Sequence, residues 1–249
     1  MRLTIASASC NSPEWAELFV KSIRRFTASG TYEIIVIDNG SQLWNLEWLR
    51  EQTDVQLVEN GTNLGHGFAI DQSVVLAQGQ YVAFLDIDAH IQSDGWDDAL
   101  IRLYEQDAKT RLIGCLGPEH KPLHPPLFFF ERSFIRDNGL TFQYQPGVEG
   151  STDTAQKIYW DILKLGYNVL RLEKGPKIYD GCIGDEIWVG EKPICYHAWY
   201  GTRFCENTLR PKSMLDGYLL SDHLVNKKHL FDQPLVREIM GHDGTDAGT

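Results

Sequence analysis

The chain has 249 residues, enough for one sizeable domain with a full hydrophobic core. An apolar content of 43% and a charged content of 23% mark an ordinary globular protein, and a formal net charge of −11 excludes a nucleic-acid polymer as partner, which needs a basic stripe. That charge leaves room for a single nucleotide, because a bound divalent ion supplies positive charge locally.

The first half alternates strand and helix. Leu3 to Ala8 reads as a strand, and Pro13 to Phe26 as a helix with Ser12 as N-cap and Pro13 at its first position. Tyr32 to Ile37 is a second strand, Leu43 to Arg50 a short helix and Val55 to Val58 a third strand. A helix from Phe68 to Ala77 precedes the strand Tyr81 to Leu85. This alternation predicts a mostly parallel sheet with right-handed crossovers and helices on both faces. Beyond it, Trp96 to Gln106 and Thr154 to Leu165 read as helices, the second opened by Asp153 and stopped at Gly166. Arg111 to Leu116, Leu127 to Phe130 and Val169 to Leu172 read as strands, with a Pro- and His-rich loop over Gly117 to Pro126. A division follows: a main α/β domain over 1–205, then a helical, amphipathic extension and polar tail over 206–249. Leu215, Leu219, Leu220 and Leu224 form the apolar face of that extension, with Lys227 and Lys228 in solvent and a possible homodimer contact.

Five cysteines (Cys10, Cys115, Cys182, Cys195, Cys205) without CxxC spacing fit reduced, buried thiols better than a disulfide framework or a zinc site. No segment is long and apolar enough to span a bilayer, so the expectation is a soluble cytoplasmic protein.

Asp86-Ile87-Asp88 carries most information. It closes the apolar run Tyr81-Val82-Ala83-Phe84-Leu85, where a buried strand leaves the core at the edge that forms ligand crevices in parallel sheets. Two carboxylates one residue apart can share a hard cation such as Mg²⁺ or Mn²⁺; read alone, the triplet is a solvated turn. Asp38-Asn39-Gly40-Ser41 ends the second strand, either as a simple turn or as a site where Asp38 meets a nucleobase N–H or a ribose. Asn63-Leu64-Gly65-His66-Gly67 precedes a helix and matches neither the P-loop nor the dinucleotide fingerprint.

Ile34 to Ser41, Asn63-Leu64-Gly65 and Gly79 to Asp88 together resemble the GT-A glycosyltransferases, specifically the large inverting family 2, across roughly the first ninety residues. The family continues with an acidic pair that opens a helix ending in Gly-Tyr. Here Ser151-Thr152-Asp153-Thr154 and Gly166-Tyr167 match, except that Thr152 replaces the first acid. The resemblance implies a GT-A, Rossmann-like fold and metal-dependent inverting transfer of a sugar from a UDP, dTDP or GDP sugar. The acceptor would be a glycan, a lipid-linked molecule or a small molecule. It gives Asp38 and Ser9 to the nucleobase, Asn63 and Gly65 to the donor loop, and Asp86 with Asp88 to Mn²⁺ or Mg²⁺ and the donor. Asp153 becomes the catalytic base, His197 completes the metal shell, and Tyr200 and Arg203 hold the diphosphate or an acidic acceptor. Arg132 falls on the acceptor side.

Two other classes share parts of this pattern. A sugar nucleotidyltransferase would carry a Gly- and Arg-rich phosphate loop where this chain has Ala6 to Pro13, with no Gly and no basic residue. A degenerate, non-catalytic nucleotide- or glycan-binding module is opposed by the joint presence of Asp38, Asp86, Asp88 and Asp153.

Overall fold

The computed structural model describes residues 1–28, 30, 32–117, 122–151, 153–199, 201–202 and 220–242. Strands β1 (Leu3–Ser9), β2 (Tyr32–Asp38), β3 (Val55–Glu59) and β4 (Tyr81–Leu85) lie parallel, joined by α1 (Pro13–Phe26), a 3₁₀ turn (Leu43–Leu46) leading into α2 (Glu47–Arg50), and α3 (His66–Leu76). They belong to a seven-stranded sheet completed by β6 (Thr110–Leu116), β7 (Leu123–Glu131) and β8 (Asn168–Leu172), in the order β3-β2-β1-β4-β7-β6-β8. Only β7 runs antiparallel to its neighbours. The inner runs Ile34 to Ile37 of β2 and Tyr81 to Leu85 of β4 are apolar and buried because both faces are covered there, whereas the edge strand β3 is only partly buried. Ile34 and Val36 face a core built with α1 and α4 (Trp96–Glu105), while Ile35 and Ile37 face one built with α3, α5 (Arg132–Asp137) and α6 (Gln156–Lys164).

A second sheet, absent from the sequence reading, joins β5 (Ala89–Ile91), β10 (Lys192–Ala198) and β9 (Gly184–Val189) in antiparallel pairs. Its β9–β10 hairpin turns through Gly190 at φ +60°, a conformation that glycine enters without cost.

Several boundaries moved for physical reasons. β7 starts at Leu123, inside the expected loop; a register shift between Gly114 and Cys115 lets β6 pair past the prolines, which have no N–H to donate. α3 opens two residues early, at His66. α6 opens two residues late, because Ala155 sits at φ +61° and donates its N–H to Phe142 O at 2.8 Å. Asp153 is therefore not an N-cap. Ser12 does occupy the N-cap position of α1, but its hydroxyl donates to Cys10 O at 2.7 Å and no cap bond forms.

Arg132 lies away from the acceptor side. β7 runs backward, its Glu131 pairs with Tyr81 at the start of β4, and Arg132 reaches Ala77 O at the sheet edge opposite Asp86.

Of the expected C-terminal apolar face, Leu215 and Leu219 lie outside the described residues, and Leu224 is exposed. α7 (Leu220–Phe231) and α8 (Pro234–Met240) instead bury Leu230, Val236, Ile239 and Met240 in the α1 core. Phe231 meets Trp15 edge-on at 5.3 Å, and Lys21 Nζ donates to Met240 O at 2.8 Å. Lys227 is not in free solvent: it is half-buried and pairs with Glu14 at 3.0 Å. Of Trp44 and Trp48, the second packs on the core and the first is exposed.

Candidate active site

β4 delivers Asp86 to the C-terminal edge of the sheet. The amide of Asp86 donates to Pro126 O at 3.2 Å and that of Ala89 to Asp86 O at 2.9 Å, so the chain turns sharply there into β5. Ala89 pairs with His197 of β10, and this pairing brings a residue from far along the chain to the two carboxylates. His197 Nε2 lies 3.5 Å from Asp88 Oδ1 and 3.6 Å from Asp86 Oδ2. One ligand atom from each of the three falls within 4.8 Å of the others.

This donor set fits a hard divalent ion. Two carboxylate oxygens and one imidazole nitrogen leave coordination positions for phosphate oxygens. Gly201 closes over the cluster: a Cβ there would stand 2.6 Å from Asp88 Cβ and 2.7 Å from Asp88 Oδ2. Burial works against a charged His197. The hydrogen bond to Asp88 and the charges of Asp88, Asp86 and Asp185 outweigh it, and its pKa lies above the ordinary histidine value. A field that holds a proton there also favours a cation in the proton's place.

The loop before α3 adds a group that sequence reasoning passed over. Asn63 Oδ1 accepts from Gly65 N at 2.9 Å, and Gly65 takes φ +97°. His66 thereby becomes the first residue of α3, and its Nε2 lies 3.1 Å from Asp86 Oδ1. Burial lowers its proton affinity, but Asp86, then Asp88 and Asp153, raise it further, and the net shift is upward. The missed signal was the position directly after the glycine, where a helix N-terminus points back at the strand end.

Ser9 and Asp38 pair in register at the same edge, both buried. Asp38 Oδ2 accepts from Gly40 N at 3.1 Å and Ser41 N at 3.0 Å, and Oδ1 accepts from the Ser41 hydroxyl. The carboxylate thus builds its own turn. It retains one lone-pair site of about four for a ligand. The turn and the donor loop are locked together: Asn39 Nδ2 donates to Gly65 O at 3.3 Å, and a Cβ on Gly40 would strike Thr62 Cα at 2.7 Å.

Asp153 is exposed, and its Oδ1 accepts from Thr154 N at 2.8 Å. Its charge acts on His66, so it lies on the α3 side of the cluster. Asp86, Asp88 and His197 therefore share one region, and the charge of Asp153 reaches it through His66. Ser9 and Asp38 stand on the same sheet edge, and the Asn63–Gly65 loop is tied to that edge through Asn39. Arg203 and Tyr200, like Thr152 and Cys205, lie outside the described residues. Cys115, Cys182 and Cys195 are buried and outside the cluster, and burial pushes the Cys182 thiol up to about 11.

A mostly parallel sheet flanked by helices, with paired carboxylates at the end of its fourth strand, is the GT-A architecture. Residues 4–146, more than half of the chain, match the model for Glycosyl transferase family 2, and the chain belongs to that family. It is 25% identical over 143 residues to a dolichyl-phosphate beta-glucosyltransferase, ALG5A, of Trichomonas vaginalis, a match that spans 55% of this chain and 43% of that one. Among solved structures, the mannosyltransferase PcManGT of Pyrobaculum calidifontis, in complex with GDP-Man and Mn²⁺, superposes with a TM-score of 0.55 at 19% identity over 68% of this chain and 54% of that one. S. aureus TarS 1-349, in complex with UDP-GlcNAc, gives a TM-score of 0.56 at 14% identity over 96% of this chain and 72% of that one. Likeness at these identities shows the fold. Among the described residues, no helix is long and apolar enough to cross a membrane.

Proposed function

We propose that the chain is a metal-dependent, inverting glycosyltransferase that moves a sugar from a nucleoside-diphosphate sugar to an acceptor hydroxyl. The observation that carries this reading is the convergence of Asp86, Asp88 and His197 at the sheet edge in a chain of this family. Those three residues would hold Mn²⁺ or Mg²⁺, and Asp86 and Asp88 would also face the donor. When bound, the ion stabilises negative charge on the departing diphosphate.

The protein's own groups do the rest. Ser9 and the remaining acceptor site of Asp38 receive the base, a uracil, thymine or guanine N–H. The Asn63–Gly65 loop flanks the donor, and Arg203 with Tyr200 holds the diphosphate or an acidic acceptor. Asp153 takes the acceptor's proton as its oxygen attacks the anomeric carbon from the face opposite the nucleotide. The neighbours with bound GDP-Man and UDP-GlcNAc support a hexose donor carried on a guanosine or uridine diphosphate. Residues 1–205 form the catalytic domain, and the part from 206 onward extends it, with α8 packed on α1 and α7 meeting α1 through Phe231 and Lys227.

A thermal-shift screen of UDP, dTDP and GDP sugars, with and without Mn²⁺, tests this reading, because a ligand that binds only the folded state raises the melting temperature. A shift that needs the metal, together with release of the nucleoside diphosphate on incubation, supports it. Binding without any turnover of the sugar would make the chain a silent binding module.

A further inference from the structure

Asp71 takes no part in the site described above, yet three donors from one segment converge on it. The amide of Phe142 donates to Asp71 Oδ1 at 2.9 Å, Gln143 Nε2 donates to Oδ2 at 2.8 Å, and the Thr141 hydroxyl donates to the same Oδ2. The 141–143 segment is strapped onto α3 as closely as backbones allow: a Cβ on Gly67 would stand 2.6 Å from both Gln143 Cα and Phe142 O. Phe142 is fully buried, its ring 5.4 Å from Phe128 and 5.2 Å from Phe130, so the strap cannot drift.

The strap then holds the next turn. Phe142 O accepts from Ala155 N at 2.8 Å, and Ala155 is a buried residue forced to φ +61°. Asp153 lies two residues before it, with its carbonyl accepting from Gln156 N at 3.3 Å. A left-handed alanine persists only where its surroundings over-determine it, and such strain collects at functional positions. The first residue of α3 is His66, next to Gly67 and 3.1 Å from Asp86 Oδ1. One helix is thus fixed to the metal-binding side at its N-terminus and to the Asp153 turn one and a half turns later.

We propose that Asp71 is a positioning residue for sugar transfer: through Phe142 and Ala155 it holds the Asp153 carboxylate at a set distance from the Asp86–Asp88–His197 cluster. This rests on the reading of Asp153 as the base. A displacement of about 1 Å far from the chemistry can cost on the order of 10²-fold in rate.

The test measures nucleoside diphosphate release from UDP-glucose, UDP-N-acetylglucosamine and GDP-mannose with Mn²⁺, water serving as acceptor, for wild type, Asp71→Ala, Asp71→Asn, Asp153→Asn and the double variant Asp71→Ala/Asp153→Asn. Asp71→Ala should lower kcat by about 10-fold to 10²-fold at unchanged donor KM. Asp71→Asn should recover most of that, since its amide oxygen still accepts from Phe142 N while Thr141 and Gln143 reorient. The loss should vanish in the Asp153→Asn background, because a residue that acts through another adds nothing once that other is gone. Losses that multiply, or full activity in Asp71→Ala, overturn the proposal. Full activity in Asp153→Asn overturns the base assignment itself, a separate failure. Amide hydrogen exchange supplies an arm independent of turnover and of poor folding: Phe142 and Ala155 should lose protection in Asp71→Ala while Asn39 and Asn60 keep theirs. Unchanged protection of Phe142 and Ala155 also overturns the proposal. Thr141→Val, which removes one of the three donors and leaves the backbone bond, should show the same pattern in a milder form.

Discussion

His66 Nε2 stands 3.1 Å from Asp86 Oδ1, while Asp86 Oδ2 faces His197 Nε2 at 3.6 Å. His66 holds one oxygen of the carboxylate at hydrogen-bond distance, and His197 faces the other. Asp86 therefore presents a single oxygen to the cluster, and a side chain at the end of a strand, otherwise free to rotate, is held in one orientation.

Replacing His66 with Ala frees that carboxylate. Partners that orient a ligand typically account for roughly 10–100-fold in metal affinity. We expect Mn²⁺ titrated into His66→Ala, in the presence of UDP or GDP, to bind about 10-fold more weakly, with little change in melting temperature. Equal affinity would show that the turn alone orients Asp86.

Asp153→Asn should retain nucleotide binding and lose transfer. A general base contributes ~10²–10⁴-fold, and the amide keeps the oxygen that accepts from Thr154 N. Near-wild-type turnover would place the base elsewhere, or mean that the acceptor arrives already ionised, as a phosphate does.

Glu186 gives a pH prediction with a definite sign. It is buried; Oε1 accepts from Ile178 N at 3.0 Å and Tyr179 N at 3.3 Å. Burial pushes its carboxyl above the ordinary range, against those bonds. A folded pKa above the unfolded one means that the native state binds more protons, so the ionised group costs stability at neutral pH. That cost disappears as pH falls through the folded pKa toward the unfolded one. Glu186→Gln should raise the melting temperature at pH 7.5, with the gain shrinking toward zero near pH 4.5. A gain that grows with acidification would refute the assignment.

The C-terminal helices are part of the core. Leu230→Ala, at a fully buried position, should cost about 2–5 kcal/mol, read as a fall in the urea midpoint. A loss below about 0.5 kcal/mol, the range of surface substitutions, would mean that α7 is dispensable to the fold.

The sequence exposed its parallel half well because two of its central strands, over Ile34 to Ile37 and Tyr81 to Leu85, are continuous apolar runs buried on both faces. It hid the β5–β10–β9 sheet, whose strands carry Asp185, Glu186, His90 and Lys192 and so lack that signal. Asp86 and Asp88 were legible from strand context, and His197 from a family resemblance. That His197 reaches them through Ala89 is a consequence of long-range pairing, which no local pattern records. Asp71 was invisible for the same reason: its three donors lie about seventy residues away. Arg132 was misplaced because β7 runs against the rest of the sheet, which moves its C-terminal end to the opposite edge.

The central claim is a metal-dependent nucleotide site built on Asp86, Asp88 and His197. Calorimetric titration of UDP, dTDP and GDP into the intact protein with Mn²⁺, with EDTA, and in Asp88→Ala tests it most directly. The account predicts clear binding of at least one nucleotide with Mn²⁺, and binding weakened by 10-fold or more both by EDTA and by the substitution. Equal affinity in all three conditions would contradict it.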